Sequence, residues 1–378
     1  MKIAVLIRNF KRNAGGAERY CVELSERLSE FHDVHIFCQS FEKSTLPIKF
    51  HKISKYFDKP RFLNQILFSY LTNKAASLGK FDIIHSHELV ANADVFTIHV
   101  PCFKSTLLNS MGIKKKLSIL NTIVSPRKIG YLWLEKKQMQ NAHKSQFISV
   151  SEYLSRNINL CYPNISNISI AYPGISDKFS LNDSRLINSS KDLKKDFSIP
   201  KNALVLLLVA NDYFKKGLLT IIKSLEILNN ENIHLVVAGN DKRKISQSHS
   251  SVLSRIYFLG SIQNMSNLYN QVDILLHPTL ADTFGMAPLE AMSFKIPVII
   301  SGVKYCGFSE QLSKNQAIFL ENPKDEIELA EKINFLYQND KVRKKIAANG
   351  YELSKKISWK NTLHSTLKAY DLISRQSR

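Results

Sequence analysis

Short runs of consecutive apolar residues alternate along the chain with longer stretches whose apolar residues recur every three or four positions. Such runs are typical of strands buried on both faces, and the periodic stretches are typical of helices. The alternation predicts an α/β protein built from βαβ units with parallel sheets. Strands are predicted at residues 2–7, 34–38, 81–85, 95–99, 146–150 and 168–171, then at 204–209, 234–238, 256–259, 272–277, 296–300 and 317–320.

A polar stretch at residues 180–200 separates the two series of strands and suits a linker with a lead-in helix. A chain of 378 residues also exceeds what one hydrophobic core usually supports. We therefore predict two doubly wound, Rossmann-like domains facing across a cleft, at residues 1–175 and 176–358. The helical stretch 359–378, with Trp359 as its large anchor, is predicted to pack back toward the first domain.

The formal net charge of +20 indicates an anionic partner: nucleic acid, a phosphorylated substrate or an acidic membrane face. The five cysteines are scattered and lack a CxxC spacing, so neither a disulfide framework nor a metal site is predicted. The first apolar stretch has only the length of a strand, and no apolar run is long enough to cross a bilayer. These features predict a cytoplasmic protein.

Basic and apolar residues are interleaved between residues 103 and 144, where nine Lys or Arg residues accompany a single acid, Glu135. This mixture favours a surface that lies on anionic lipid. Ordinary helices with a buried apolar face and a basic outer face are the alternative. The residues predicted to face the membrane are Lys114, Lys115, Lys116, Arg127, Lys128, Trp133, Lys136 and Lys137.

The segment from Asp282 to Glu290 places two carboxylates eight positions apart around the start of a predicted helix. It follows the carboxyl end of a strand, where ligands bind in open α/β sheets. A fully helical segment would separate the two backbones by about 12 Å, enough to reach a ribose and a sugar beyond a diphosphate. The helix N-terminus between them is a natural phosphate site. Alternatively, Asp282 caps the helix and Glu290 is a solvated residue.

Two further strand ends carry residues suited to a phosphate or a sugar. Gly15 and Gly16 precede a helix and would let a backbone N–H approach a ligand closely, although a plain turn explains them equally well. Lys215 and Lys216 follow the strand at 204–209. A lysine there could neutralise a diphosphate leaving group as its charge develops.

Histidines at the ends of two neighbouring strands are the remaining candidates. His99 closes the strand at 95–99, and His85 and His87 follow the preceding strand. Histidine can donate to a substrate hydroxyl or carry a proton near neutral pH, although a core or loop histidine is the usual interpretation. No phosphate-binding GxxxxGK[ST] loop, HExxH or GxSxG motif is present.

The chain resembles the retaining GT-B glycosyltransferases of family 4, and among them the lipopolysaccharide core heptose I glucosyltransferases. The resemblance extends over nearly the whole length. It rests on the segments GGAER, DVFTIHVPCF, ISVSEYLS, AYPGISDKF, VANDYFKKG, VVAGNDKRK, FLGSI, LLHPTLADTFGMAPLEAM and CGF. The resemblance implies a GT-B fold, with an N-terminal domain that binds the acceptor and a C-terminal domain that binds a sugar nucleotide.

The resemblance also implies roles for particular residues. Glu290 would hold the ribose hydroxyls, Asp282 would contact the donor sugar, and His99 would lie beside the donor sugar and the acceptor. The diphosphate would be bound by Lys216 and by backbone N–H groups. The predicted catalytic residues are Lys216, Asp282 and His99, and the predicted donor-binding residues are Gly15, Gly16, Asn211, Lys215, Lys216, Phe284, Gly285, Met286, Ala287 and Glu290.

Two positions depart from the family pattern. The family usually has glutamate where Asp282 stands and arginine where Asn211 stands, which leaves the choice of donor sugar open. Lys215 would supply the missing charge, although an ammonium does not reproduce a bidentate guanidinium.

The function expected from the resemblance is metal-independent, retaining transfer of a hexose, with UDP-glucose as the expected donor and no cofactor. The expected acceptor is a lipid-linked saccharide, such as lipopolysaccharide core, at the cytoplasmic face of the inner membrane. One alternative is a family 4 transferase with another donor that acts on a different glycolipid or capsule oligosaccharide. The other is a non-enzymatic protein that binds nucleic acid. Asp282 and Glu290 disfavour it because carboxylates repel phosphate, so no nucleic-acid partner is expected. The acceptor, the linkage and the oligomeric state stay open.

Overall fold

The computed structural model describes residues 1–12, 14–108, 125–140, 142–175, 192–241 and 250–376. The chain divides into two compact units. The N-terminal unit comprises Met1–Gly174 together with Trp359–Arg378, and the C-terminal unit comprises Ile175–Ser358. The proposed linker lies mostly outside the described residues.

The N-terminal unit contains a parallel sheet with helices along it. Its strands are β1 (Lys2–Leu6), β2 (Asn9–Phe10), β3 (Asp33–Cys38), β4 (Ser40–Phe41), β5 (Ile48–Lys52), β6 (Ile83–Ser86), β7 (Val95–Ile98), β8 (Gln146–Ser149) and β9 (Ile168–Ile170). Its helices include α1 (Gly16–Leu28), α2 (Arg61–Ser77), α3 (Ser105–Leu108), α4 (Pro126–Gln140) and α5 (Glu152–Cys161). Seven strands pair in the order β5-β3-β1-β6-β7-β8-β9, and β2 pairs separately with β4.

The C-terminal unit repeats this architecture. Its strands are β10 (Leu204–Val209), β11 (Ile233–Ala238), β12 (Ile256–Gly260), β13 (Ile274–His277), β14 (Val298–Ser301) and β15 (Ile318–Leu320). Its helices are α6 (Leu193–Asp196), α7 (Leu218–Leu228), α8 (Ser250–Leu253), α9 (Met265–Tyr269), α10 (Met286–Ser293), α11 (Glu326–Gln338) and α12 (Asp340–Ser354). The six strands are parallel and pair in the order β12-β11-β10-β13-β14-β15.

Both sheets confirm the predicted fold class of two doubly wound α/β units. Parallel strands covered by helices on both faces are buried along their length, so they require runs of apolar residues. Leu204–Leu208 of β10, for example, is buried throughout. Predicted strand ends differ from the observed ones by one or two residues. The pattern missed β5 (IKFHK), whose residues are half-buried or exposed because it lies at the edge of the sheet.

The last helix, α13 (Trp359–Gln376), belongs to the N-terminal unit. Trp359 is 2% exposed and meets Tyr20 of α1 edge-on, with ring centroids 5.2 Å apart. The hydroxyl of Tyr370 lies 2.7 Å from His85 Nδ1 at the end of β6. These contacts join α13 to helix α1 and to strand β6 of the N-terminal unit.

Candidate functional site

Two loops at the carboxyl ends of β10 and β13 bring the central residues of the C-terminal unit together. The two strands are neighbours in the sheet, so their following loops emerge at the same edge. The backbone N–H of Leu280 donates to the carbonyl of Lys215 at 2.8 Å, which joins the loops directly. Gly217 has a φ of 84°, and a Cβ there would collide with the carbonyl oxygen of Pro278. Glycine is therefore required for this close approach.

Lys216 and Asp282 form an ion pair between Nζ and Oδ2, with only 21% and 17% of their side chains exposed. His277, the last residue of β13, places its Nε2 3.1 Å from the same carboxylate oxygen. Burial alone would raise the pKa of Asp282, but the hydrogen bond from His277 and the charge of Lys216 outweigh it and hold the pKa well below its usual range. Asp282 is therefore ionised, and the site holds one fixed positive and one fixed negative charge.

His277 is a residue of this charged cluster that was not predicted from the sequence. It is 2% exposed, and burial lowers its pKa even though the hydrogen bond to Asp282 acts in the opposite direction. The ring is therefore neutral and must donate from Nε2 to the carboxylate. Its position at the end of a strand, five residues before Asp282, was a signal that could have identified it.

Helix α10 begins directly after this cluster. Its N-cap residue is Gly285, with a φ of 107°, and a Cβ there would lie 2.8 Å from Cys306 Sγ. The Phe284 carbonyl accepts from Phe308 N–H at 2.6 Å, and Asp282 N–H donates to the Tyr305 carbonyl at 2.7 Å. Residues 305–308 therefore fix the loop that leads into the helix. The N-cap of α10 is Gly285, and the Asp282 side chain bonds to Lys216 and His277 instead, so the alternative in which Asp282 is a simple helix cap is wrong.

Met286 and Ala287 open the first turn of α10 and are half-buried. Their N–H groups belong to the first four of the helix, which have no partner within the helix itself. Together with the partial positive charge of the helix N-terminus, they suit an anion.

Glu290 lies one turn further along α10 and is only 5% exposed. Its Oε2 accepts a hydrogen bond from the Tyr269 hydroxyl at 2.9 Å. The alternative in which Glu290 is a solvated surface residue is therefore wrong. Its burial fits a carboxylate that is held in place by the protein.

Asn211 and Lys215 lie at the outer side of the same loops, and both are exposed. The side-chain oxygen of Asn211 accepts from the backbone N–H of Asn240 at 3.3 Å, which links the loops after β10 and β11. Lys215 N–H donates to the side chain of Asp212 at 2.9 Å. Asn211 thus has a structural partner, whereas the side chain of Lys215 is turned to solvent.

A cavity of about 380 Å³ opens at the carboxyl ends of β1, β6 and β7 in the N-terminal unit. Its lining includes Arg8, Glu18, Glu88 and His99. Arg8 Nε and Glu88 Oε1 form an ion pair at 2.9 Å. Burial, and to a smaller degree the charge of Glu88, raise the pKa of Glu18. Arg8, Glu18 and Glu88 were not among the predicted site residues, although Arg8 and Glu88 each follow the end of a strand by two residues.

The glycine pair lies at the start of α1, whose residues Ala17 and Glu18 line this cavity. A Cβ at Gly16 would meet no atom of the described residues within 4 Å, so these residues do not require glycine at this position. A Cβ at Gly15 would meet only the end of the flexible Glu18 side chain. Space is thus left open beside the first turn of α1.

The three histidines collect beside the cavity. His99 is half-buried, and its Nε2 lies 3.1 Å from Nδ1 of His87. Both nitrogens of His85 have partners, with Nδ1 2.7 Å from the Tyr370 hydroxyl and Nε2 2.7 Å from the Thr97 hydroxyl. His85 is therefore a structural residue, and His87 and His99 remain candidates.

Part of the predicted membrane-facing segment forms α4. Trp133 is 48% exposed, as is Ile129 one turn earlier, and Lys136 and Lys137 are exposed on the same side of the helix. We call these four residues the α4 outer face. Lys128 is half-buried, Arg127 is exposed and lines the cavity, and Lys114, Lys115 and Lys116 lie outside the described residues. Within the described part of the chain, no helix is long and apolar enough to span a bilayer.

Among the described residues, no group of three or more His, Cys, Asp or Glu side chains is arranged to hold a metal ion. The candidate sites are thus a charged cluster in the C-terminal unit and a polar cavity in the N-terminal unit.

Two Rossmann-like units, each with polar side chains at the carboxyl ends of parallel strands, fit the GT-B fold of glycosyltransferases. Residues 189–353 match the model of the family described as Glycosyl transferases group 1, and residues 14–179 match Glycosyltransferase Family 4. The chain belongs to these glycosyltransferases, as the resemblance had indicated.

Several known proteins are similar to this chain. "Lipopolysaccharide glucosyltransferase WaaG" of Escherichia coli K12 is 28% identical over 132 residues, which are 33% of this chain and 35% of WaaG. The crystal structure of WaaG, "a glycosyltransferase involved in lipopolysaccharide biosynthesis", matches with a TM-score of 0.79 at 19% identity over 98% of this chain and 99% of the other. Anabaena HepE in complex with UDP and glucose has a TM-score of 0.71 at 16% identity over 99% of each chain. These structures share the fold.

A relative from Campylobacter jejuni aligns over more of the sequence. It is named "GalNAc-alpha-(1->4)-GalNAc-alpha-(1->3)-diNAcBac-PP-undecaprenol alpha-1,4-N-acetyl-D-galactosaminyltransferase". It is 25% identical over 373 residues, covering 94% of this chain and 94% of the relative.

Proposed function

We propose that this protein is a metal-independent, retaining glycosyltransferase that transfers a hexose from a UDP-sugar to a lipid-linked saccharide. UDP-glucose is the expected donor. The observation that carries the proposal is the cluster of Lys216, Asp282 and His277 at the N-terminus of α10. It combines a fixed cation, a fixed carboxylate and free helix N–H groups, which are the groups needed to bind a nucleoside diphosphate joined to a sugar.

Lys216 and α10 would stabilise the leaving group. An ammonium carries three N–H donors, so Lys216 can keep its bond to Asp282 and still donate to a phosphate oxygen. The N–H groups of Met286 and Ala287 add partial positive charge. These groups offset the negative charge that develops on the diphosphate as it departs, which is the role that a divalent cation plays in other phosphate sites.

The two carboxylates would contact opposite ends of the donor. Asp282 lies beside Lys216 and stays ionised, so it can accept hydrogen bonds from sugar hydroxyls. Glu290 is buried one turn into α10 and would accept from the ribose hydroxyls. Tyr269 holds the Glu290 carboxylate in place for this contact.

The transfer step would proceed with retention. The bond between the sugar C1 and the phosphate oxygen breaks, and its electron pair stays on the diphosphate. The acceptor hydroxyl oxygen then bonds to C1 on the face that the leaving group vacates, and its proton passes to the departing phosphate oxygen. This route needs no nucleophile from the protein.

A lipid-linked acceptor is supported by the relatives and by the α4 outer face. The Campylobacter jejuni relative is named for an undecaprenol-diphosphate-linked acceptor, and WaaG for lipopolysaccharide. The exposed Ile129 and Trp133 flanked by Lys136 and Lys137 suit peripheral contact with anionic lipid of the inner membrane. The N-terminal cavity would bind the acceptor saccharide.

A second candidate donor is an N-acetylhexosamine nucleotide, with a different glycolipid or a capsule oligosaccharide as acceptor. The name of the Campylobacter jejuni relative favours it, and Asp282 in place of the family's usual glutamate leaves the choice of donor open.

The experiment that tests the proposal is slow hydrolysis of a panel of sugar nucleotides in the presence of EDTA. UDP-glucose, UDP-galactose, UDP-GlcNAc, UDP-GalNAc and the corresponding GDP-sugars are compared, and released nucleotide is measured. We expect UDP release from one donor at a rate that EDTA leaves unchanged, and an α-anomeric sugar by NMR once an acceptor is supplied. Failure to bind or hydrolyse any sugar nucleotide would contradict the proposal, and loss of activity with EDTA would contradict metal independence.

A further inference from the structure

The His87–His99 pair contains one buried ring nitrogen whose hydrogen bonding is not satisfied by the described residues. His87 is only 6% exposed, and its Nε2 is buried without a hydrogen-bond partner among the residues that the structure describes. Its Nδ1 lies 3.1 Å from Nε2 of His99. A buried polar atom without a partner is costly, so its protonation state matters.

Both rings are neutral. Burial lowers the pKa of His87 well below its usual value, with smaller contributions from His85 and His99, and burial lowers the pKa of His99 to about 3. A neutral imidazole has one N–H and one lone pair. The single bond between the rings can therefore run in only two directions, and each direction fixes the tautomers of both histidines.

The two directions differ in what they leave buried. If His99 donates from Nε2, His87 must carry its own proton on the buried Nε2, for which the described residues offer no acceptor. If His87 donates from Nδ1, its buried Nε2 keeps a bare lone pair. Buried N–H groups without a partner are rarer than acceptors left partly unsatisfied. The second direction is therefore favoured, and it places the proton of His99 on Nδ1.

We infer that His87 is a positioning residue that fixes His99 as the Nδ1–H tautomer, so that His99 offers a hydrogen-bond donor to a substrate hydroxyl in the N-terminal cavity. Nε2 of His99 is occupied in accepting from His87, and Nδ1 already holds a proton. His99 is thus a donor to an oxygen atom and not a general base. The identity of that oxygen as a sugar hydroxyl rests on the proposed function.

This assignment decides between the two roles that the sequence left open for His99, a donor to a hydroxyl or a carrier of protons. It agrees with a transfer step in which the acceptor proton passes to the leaving phosphate. His85 cannot orient His99, because its two ring nitrogens form hydrogen bonds with the hydroxyls of Tyr370 and Thr97.

The tautomer can be measured without any substrate. In protein labelled with ¹⁵N-histidine, long-range ¹⁵N–¹H correlation spectra distinguish protonated from unprotonated ring nitrogens, and the His99→Gln variant identifies the signals of His99. We expect a protonated Nδ1 and an unprotonated Nε2 at His99, and the same pattern at His87. A protonated Nε2 at His99 in the wild-type protein would overturn the inference.

Two substitutions of His87 provide a matched pair. The side-chain amide nitrogen of asparagine lies near the position of Nδ1, whereas that of glutamine lies near Nε2. His87→Asn should keep the Nδ1–H tautomer of His99, and His87→Gln should lose it. We expect kcat/KM to fall by about tenfold or more in His87→Gln, the size of loss seen when a group that orients a metal-binding histidine is removed. In His87→Asn we expect kcat/KM to be largely restored.

Equal tautomers and equal kinetics in the two variants would contradict the positioning role. Melting temperatures of both variants show whether a loss reflects unfolding. The spectra are recorded without substrate, so the two proposals can fail separately. If the His99 tautomer is altered in His87→Gln but no protein turns over a sugar nucleotide, the inference stands and only the proposed function is contradicted.

Discussion

Each unit buries a histidine near the end of a strand, His87 in the N-terminal unit and His277 in the C-terminal unit. Each has one ring nitrogen without a partner among the described residues. The two histidines differ in the partner of the other ring nitrogen. His277 donates to the ionised Asp282, which is also paired with Lys216. His87 bonds to the neutral ring of His99. The C-terminal site is therefore organised around fixed charges and the N-terminal cluster around neutral donors and acceptors. Charges suit a diphosphate whose charge grows during reaction, and neutral groups suit sugar hydroxyls.

The glycines at the starts of α10 and α1 show a second contrast. Gly285 before α10 has a positive φ and a crowded Cβ position, so the fold itself requires it. Gly16 at the start of α1 has open space around its Cβ position. A reason for glycine at residue 16 must therefore come from a ligand or from a plain turn.

The largest expected effect comes from removing the cation of the charged site. Lys216→Ala should lower kcat and kcat/KM together by about 100-fold or more, because the ammonium acts on charge that develops in the transition state. Steady-state kinetics with the preferred donor measure the change. Lys223→Ala on α7, where Lys223 is paired with Glu326, is the control and should have little effect. Equal turnover in the two variants would remove the leaving-group role of Lys216.

Glu290→Ala should weaken UDP binding by about 10- to 100-fold, since a hydrogen bond to a charged group contributes about 1.5 to 3 kcal/mol. Isothermal calorimetry with UDP measures it. Tyr269→Phe, which removes only the hydroxyl that bonds to Glu290, should cause a smaller loss. Unchanged UDP affinity in Glu290→Ala would count against the ribose contact.

The two glycines can be compared by alanine substitution. Gly285→Ala should destabilise the protein by about 1 to 2 kcal/mol, because a residue with a Cβ pays that amount in the left-handed region. Gly16→Ala should leave the free energy of unfolding unchanged or slightly raised. Urea denaturation monitors both. If Gly16→Ala raises the donor KM without loss of stability, a ligand approaches that backbone; an unchanged KM would indicate a plain turn.

Asp282 should make stability depend on pH in one direction. Its folded pKa is depressed below the usual 3.8, so its contribution is fully present above that value and is lost as pH falls through the folded pKa. The difference in unfolding free energy between wild type and Asp282→Asn should therefore shrink by about 1 kcal/mol between about pH 6 and pH 3. Asp340→Asn, at an exposed carboxylate, should show a weaker dependence. A difference that grows toward acid would contradict the assignment.

The smallest expected effect concerns the α4 outer face. Trp133→Ala should reduce sedimentation with vesicles of anionic phospholipid by about three- to tenfold, because apolar area is lost from the contact with lipid. Phe31→Ala, at a phenylalanine that is 71% exposed elsewhere in the N-terminal unit, is the matched control. If both variants bind vesicles like the wild type, the membrane contact lies on other residues.

Much of the fold and part of the C-terminal site followed from the sequence. Buried parallel strands require apolar runs, so the runs located most strands, and the half-exposed edge strand β5 escaped for the same reason. Residues that follow strands meet at one edge of a parallel sheet, so Lys216 and Asp282 could be placed in the same site before their contact was known.

The tertiary structure decided which side chains of the two sites contact each other. Lys216 and Asp282 are 66 residues apart, and their ion pair depends on how the loops after β10 and β13 are joined at Lys215 and Leu280. The bonds of Glu290 to Tyr269 and of His87 to His99 likewise join elements that are distant along the chain or in separate loops. Local sequence determines which groups reach a strand end, because periodicity and burial act within one element. Which of those groups meet, and in which protonation state, depends on distances that exist only in the folded chain.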